Sequence, residues 1–323
     1  MHLAFLGTPT VAAATLRSIV GAGHDVRVVV TRRDARRGRG GELGPSPVKV
    51  VAAELGLPVS YDAAAVVGSG AELGVVVAYG RIIKPDVLEK VPMVNVHFSL
   101  LPRWRGAAPV ERAVLAGDKE TGVCLMKLEE GLDTGPIFAC RAVSIGPEET
   151  VTELRGRLGD LGTEMLLGAL SQGFPEPVAQ VGEPSYANKV DPSELRLDFE
   201  LPAEVCLRAV RVGRAWTTWR GRRLIVHRAR LVDHDSGADG GRCQAETPVP
   251  AGSIRAGSIR AGSTPGAGAP AIALEPGELA GDLVGTGAGT LQLLVVQPEG
   301  KAPLAVPDWL RGTRPVPGER LGA

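Results

Sequence analysis

Apolar and polar positions alternate between strand-like and helix-like spacing from the first residues onward. Leu3 to Gly7 is a short apolar strand ending in Gly7-Thr8-Pro9, and Thr10 can cap a helix running to about Gly21. Asp25 to Thr31 carries Val26, Val28, Val29 and Val30, the near-continuous apolar run of a strand buried on both faces. Ser46 and Pro47 mark a second helix, a hydroxyl cap followed by proline in the first turn, and Gly56 ends it. Pro58 to Tyr61 is a weak strand, Leu73 to Ala78 a strong one, and Pro85 to Val91 is helical. Val94, Val96 and Phe98 then alternate against Asn95, His97 and Ser99, so a period of two sets the three polar side chains on one face. This alternation over residues 1–116 predicts an α/β fold with an open, doubly wound parallel sheet, whose ligands belong beyond the carboxyl ends of its strands. Asn95 and His97 sit at such an end.

Val123 to Leu128 and Ile137 to Ile145 read as strands flanking the loop Glu129 to Pro136. Thr150 caps the clearest helix in the chain, with Val151, Leu154, Leu158, Leu161, Met165 and Leu166 at helical spacing up to about Gly173. The first domain is therefore expected over 1–189, followed by a loop-like linker at 190–204. Beyond it, β-prone segments at Arg222 to Ala229, Gly281 to Thr286 and Thr290 to Val296 predict a small β-barrel within 205–314. Ala251-Gly-Ser-Ile-Arg repeats from Ala256 and begins again at Ala261, inside a Gly/Ala/Pro-rich tract at about 236–270. So few copies of a five-residue unit cannot build a solenoid, and the tract is read as a flexible insertion between strands.

Charge is balanced, with 36 basic and 36 acidic residues, so the chain as a whole has no polyelectrolyte attraction for nucleic acid or membrane. Arginine outnumbers lysine by 29 to 7, a bias that suits phosphate recognition. Cys124, Cys140, Cys206 and Cys243 form no CxxC or other metal-ligand spacing and are expected as reduced, mostly buried thiols. The start of the chain lacks the pattern of a leader, and no run approaches the roughly 18 apolar residues of a membrane span, so a soluble, cytoplasmic protein is expected. No obligate interface is evident, and a monomer is expected.

Asn95 and His97 pair an amide donor with a titratable imidazole at a strand end, a combination that suits stabilisation of an oxyanion. Asp133, bracketed by Gly131 and Gly135, is the candidate partner that would hold the imidazole and favour its charged form. Asp133-Thr134-Gly135 also spells the aspartic-protease tripeptide, but that chemistry needs a second such aspartate in a matching lobe, and the strand-helix-strand start argues against it. Gly7-Thr8-Pro9 lacks the GxGxxG pattern of a dinucleotide clamp, and Gly285 to Thr290 reads as a hairpin turn. Two basic stretches stand out. One is the loop Arg32 to Gly40, containing Arg36, Arg37 and Arg39, on the same sheet edge as the candidate site; the other runs from Arg208 to Arg230 beside Trp216 and Trp219.

These residues, taken together, resemble the bacterial methionyl-tRNA formyltransferase family. The matching text includes Phe5-Leu6-Gly7-Thr8-Pro9, Pro45-Ser46-Pro47-Val48-Lys49, Val76-Val77-Ala78-Tyr79-Gly80 and Asn95-Val96-His97 with Ser99 to Pro109. It continues with Gly131 to Gly135, Tyr186-Ala187-Asn188-Lys189 and Val296 to Lys301, covering nearly the whole chain outside the repeat tract. The resemblance implies a Rossmann-like formyltransferase domain followed by a smaller OB-like β-barrel domain. It implies transfer of a formyl group from 10-formyltetrahydrofolate to the amine of methionyl initiator tRNA. On the matching motifs, Asn95, His97 and Asp133 would be the catalytic trio; Ser99, Leu100, Leu101 and Pro102 would line the folate site; and Arg36, Arg37 and Arg39 would meet the tRNA. No metal is required by that chemistry. Two alternatives stay open on sequence: a formyl-folate-dependent transferase acting on a nucleotide sugar or other small amine, and an RNA-binding protein whose transferase domain is inert. The aromatic-proline motif usual after the linker in this family is absent here, where the chain reads Val212-Gly213-Arg214-Ala215-Trp216.

Overall fold

The computed structural model describes residues 1–36, 41, 43–232 and 274–322. Arg37, Arg39 and the insertion expected at 236–270 lie outside the described residues. The first unit is built from β1 (His2–Gly7), α1 (Thr10–Gly21), β2 (Asp25–Val30), β3 (Ala35–Arg36), β4 (Leu43–Gly44), α2 (Pro47–Glu54), β5 (Val59–Ser60), β6 (Leu73–Val77), α3 (Pro85–Leu88) and β7 (Met93–His97). It continues through β8 (Arg105–Gly106), α4 (Pro109–Ala116), β9 (Glu120–Lys127), β10 (Ile137–Ser144) and α5 (Val151–Gln172). Seven of the strands form one sheet in the order β10-β9-β7-β6-β1-β2-β5. The five from β5 to β7 are parallel, and β9 and β10 extend them antiparallel. The chain leaves β1 toward β2 and β5, then returns to β6 and β7 on the other side, so the order reverses at β1 and β6. That switch point is where an open α/β sheet presents its crevice, and β7 ends one strand away from it.

Side-chain alternation assigns the two faces. Leu3, Phe5, Val75, Val77, Val94, Val96, Val123 and Leu125 pack under α1, α2, α4 and α5. The opposite face buries Ala4, Leu6, Val28, Val30, Val76 and Met93 against the segment around α3. Helix starts follow local chemistry: the Ser46 hydroxyl accepts from the Lys49 N–H at α2, and Thr150 and Glu153 form a reciprocal capping box at α5. At α1 the expected cap differs, since Thr10 is already the first helical residue and Pro9 precedes it with no side-chain cap.

The cysteine expectation needs a correction. Cys124 and Cys140 are register partners across β9 and β10, with Cα atoms 4.2 Å apart, and they form a disulfide. Antiparallel pairing brings residues 16 apart into direct opposition, which no local spacing signals. Cys206 is a buried free thiol.

A short β11 (Tyr186–Ala187) pairs with β8, and the second unit follows: α6 (Ala203–Val212), β12 (Ala215–Trp219), β13 (Arg222–Leu231), β14 (Leu279–Ala280), β15 (Leu283–Gly285), β16 (Thr290–Pro298), β17 (Leu304–Ala305) and α7 (Val306–Thr313). Its strands pair antiparallel in the order β12-β13-β16-β15-β14, with β17 on β16. Leu195, Leu197 and Phe199, from the stretch read as linker, are buried in this second core with Trp219 and Trp309. Ala203, Cys206, Leu207 and Val210 are buried at the spacing of one helix face, so α6 covers the sheet where only β structure was expected. The two units are tied by Arg211, whose guanidinium donates to the Glu149 and Gly146 carbonyls at 2.8 Å each. No helix among the described residues is long and apolar enough to cross a membrane.

Candidate active site

The site grows out of the last residues of β7. Val94 and Val96 point into the helix-covered core, so Asn95 and His97 emerge on the other face. There, Cys124 of β9 lies in register with His97 and Met126 with Asn95. Asn95 is half-buried, and its amide makes no hydrogen bond to any described residue. His97 is only 5% exposed.

Two loops fix the imidazole. After β7 the chain turns through Ser99, whose buried hydroxyl donates to the Arg103 carbonyl at 2.6 Å, and on to Trp104, which has a left-handed φ of 61°. The Trp104 carbonyl lies 3.0 Å from His97 Nε2. A carbonyl can only accept, so Nε2 carries the proton that makes this bond. Trp104 is itself held, its backbone N–H donating to Ser185 Oγ at 2.9 Å and its indole to Asp118 at 2.8 Å. Asp118 also takes a forked pair of bonds from Arg103, and this raises the Arg103 pKa above its ordinary value. The second loop brings Asp133, also left-handed at φ 50°, so that its Oδ2 accepts from the Gly106 N–H at 2.8 Å and stands 3.6 Å from His97 Nδ1. At 3.6 Å the pair is an electrostatic contact and not a hydrogen bond, so Nδ1 keeps its capacity to meet another group.

The structure thus brings His97 and Asp133 together and sets Asn95 on the same face. Of the four residues expected at the folate site, Ser99 and Leu101 are buried, and Leu100 lies against Gly122 of β9. The side chains of Ser99 and Leu101 therefore shape the loop from within. Arg36 is exposed on β3, whose two residues pair antiparallel with the two of β4, beside the ion pair of Lys49 and Asp34 at 2.7 Å. The later arginine cluster divides: Arg211 is committed between the two units, Arg220 pairs with Glu319 and Arg228 with Glu153. Arg223 and Arg196 stack on Trp216, with guanidinium carbons 4.4 and 5.7 Å from the ring centre.

Sequence reasoning missed Gln180. Its amide reaches from the segment after α5 to the Asp133 loop and to Arg105. It lies 47 residues from Asp133 in a stretch of loop composition, with no local signal.

The chain is similar to known proteins over its whole length. Residues 1–170 match the formyl transferase family model, and residues 189–314 match the model of the formyl transferase C-terminal domain. The methionyl-tRNA formyltransferase of Methylobacterium sp. (strain 4-46) is 42% identical over 348 aligned positions, covering 99% of each chain. That of Heliobacterium modesticaldum (strain ATCC 51547 / Ice1) is 39% identical over 344, covering 100% of each. Among solved structures, HypX from Aquifex aeolicus in complex with tetrahydrofolic acid superposes with a TM-score of 0.57 at 15% identity, over 95% of this chain and 46% of that one, a likeness of fold.

Proposed function

The chain belongs to the methionyl-tRNA formyltransferase family, and from that premise we propose that Asn95, His97 and Asp133 carry its reaction. The enzyme moves the formyl group of 10-formyltetrahydrofolate to the amino group of methionyl initiator tRNA. A C–N bond forms between that amine and the formyl carbon, and the bond from the formyl carbon to N10 of the folate breaks. Negative charge builds on the formyl oxygen as the amine adds. Asn95, with its uncommitted amide, and protonated His97, a buried imidazole, through Nδ1, are the donors that meet this charge. Asp133 stabilises the imidazolium and, with it, conveys the proton that the amine loses and N10 gains. The Ser99 to Pro102 loop and the strand ends beside it form the wall against the folate, and Arg36, with Arg37 and Arg39, meets tRNA phosphates.

The observation that carries this reading is the imidazole held between the Trp104 carbonyl and the Asp133 carboxylate, with the Asn95 amide on the same face. Asn95→Ala and His97→Ala, assayed for formylation of methionyl-tRNA with the formyl-folate supplied, are each expected to lower kcat/KM by about 10²–10³-fold, the effect of removing one oxyanion donor. Activity within twofold of wild type in either variant would remove that residue from the reaction.

A further inference from the structure

We propose that Gln180 is a positioning residue that sets Asp133 against His97, with Arg105 as its anchor. The inference rests on the reading of Asp133 as a member of the reacting trio.

Asp133 sits in a left-handed backbone conformation, one that aspartate tolerates better than most residues but that still costs more than the extended or right-handed regions, in a loop whose tip is exposed at Leu132. The Gln180 amide holds that loop at two points, with Nε2 donating to the Asp133 and Gly135 carbonyls at 2.8 Å each. On its other side Oε1 accepts from Arg105 Nε at 3.1 Å and Nη2 at 2.7 Å. Both donors and both acceptor positions of the amide are therefore used. The chemistry also fixes its orientation, because a flipped amide would face two carbonyls with an oxygen and a guanidinium with an NH₂ group.

Arg105 and Gly106 form β8, and the Gly106 N–H is the donor that binds Asp133 Oδ2 at 2.8 Å. The anchor of the clamp and the direct ligand of the carboxylate are thus neighbours on one short strand, and Gln180 ties that strand to the Asp133 backbone. Val178 delivers Gln180 to this place through paired backbone bonds with Ile137, at 2.8 and 2.9 Å, and β11 then pairs with β8. The clamp fixes the backbone of Asp133 while Gly106 fixes its side chain, and together they set the 3.6 Å approach to His97.

Gln180→Glu keeps the side-chain length and the acceptors for Arg105 but turns an oxygen toward the two carbonyls. A displacement of about 1 Å in a reacting group can reduce a rate about 10²-fold. In Q180E, kcat for formyl transfer is expected to fall by that order while KM for each substrate stays within about threefold, since the Gln180 amide is fully engaged within the protein. A second readout needs no turnover: in protein with ¹⁵N-labelled histidine, the ring signals of His97, assigned by their loss in H97A, should move in Q180E in the direction they move in Asp133→Asn. Thermal unfolding of Q180E and Q180A confirms that each variant is folded before it is read. A wild-type kcat in Q180E, or His97 signals unmoved in Q180E and Q180A while D133N shifts them, overturns the proposal. A wild-type enzyme that fails to formylate methionyl-tRNA would instead overturn the functional reading, and the histidine signals would still report on the clamp.

Discussion

His97 and Cys206 are both buried, and their partners give them opposite prospects. The imidazole has an acceptor at one nitrogen and a carboxylate beside the other, whereas the Cys206 thiol, packed in the second core on the inner face of α6, has the Asp198 carbonyl at 3.2 Å as its one hydrogen-bond partner among the described residues. Burial, with a smaller contribution from the Asp198 charge, pushes the thiol pKa up from 9.0 to about 11. A thiol whose pKa is raised on folding favours the folded state wherever it is protonated, and this preference is lost as pH rises from the unfolded value toward the folded one. Cys206 is therefore expected to resist iodoacetamide in the native enzyme at pH 8 and to react once the protein is unfolded, as peptide mass spectrometry would show. Rapid native labelling at pH 8 would contradict that burial. At this scale the sequence was most legible where chemistry and period coincide, as at Asn95 and His97. It was silent where partners come from remote loops: the Trp104 carbonyl, Gln180 and the Cys124–Cys140 pair are joined by tertiary geometry alone.

At the scale of elements, α5 is the backing plate of the site. A Cβ on Gly162 would come within 2.6 Å of Val96 Cγ1 and 3.2 Å of Val123 Cγ1, so the helix approaches β7 and β9 as closely as it does because that position has no side chain. Gly162→Leu should force the helix outward and cost about 1–3 kcal/mol of stability by overpacking. Val96 lies between Asn95 and His97, so kcat should fall as well, in contrast to the exposed helix position Gly156, where a Cβ meets nothing. Chemical denaturation and formyl-transfer rates on the two Leu variants would test this, and equal stability of both would count against the packing argument. The alternation of strands and helices and the long helix were readable because apolar period and caps agree, whereas the order of the strands in the sheet was not. The helix α6 was hidden because its charged face, with Arg208 and Arg211, reads as a basic patch until its buried positions are seen at helical spacing.

On the scale of the whole molecule, the two units share one path of restraint that runs through the site. The segment from Val178 to Ala187 pairs with Ile137, Arg105 and Gly106. The chain then enters the second core at Leu195, and Arg211 returns to hold the turn before α5. The amide clamp on Asp133 therefore lies on the strap that leads to the second unit. Domain order was legible because composition changes between residues 175 and 202, but the strap's contacts with the site were not, since its proline-rich, loop-like text resembles an idle linker. The central claim is that this framework serves a transferase for charged initiator tRNA. Its most direct test is a formyl-transfer assay with 10-formyltetrahydrofolate, comparing methionyl initiator tRNA, methionyl elongator tRNA and an amino sugar nucleotide as acceptors. Rapid formylation of the initiator tRNA, with far slower transfer to the other two, is the predicted result; transfer to the amino sugar nucleotide with none to initiator tRNA would contradict it.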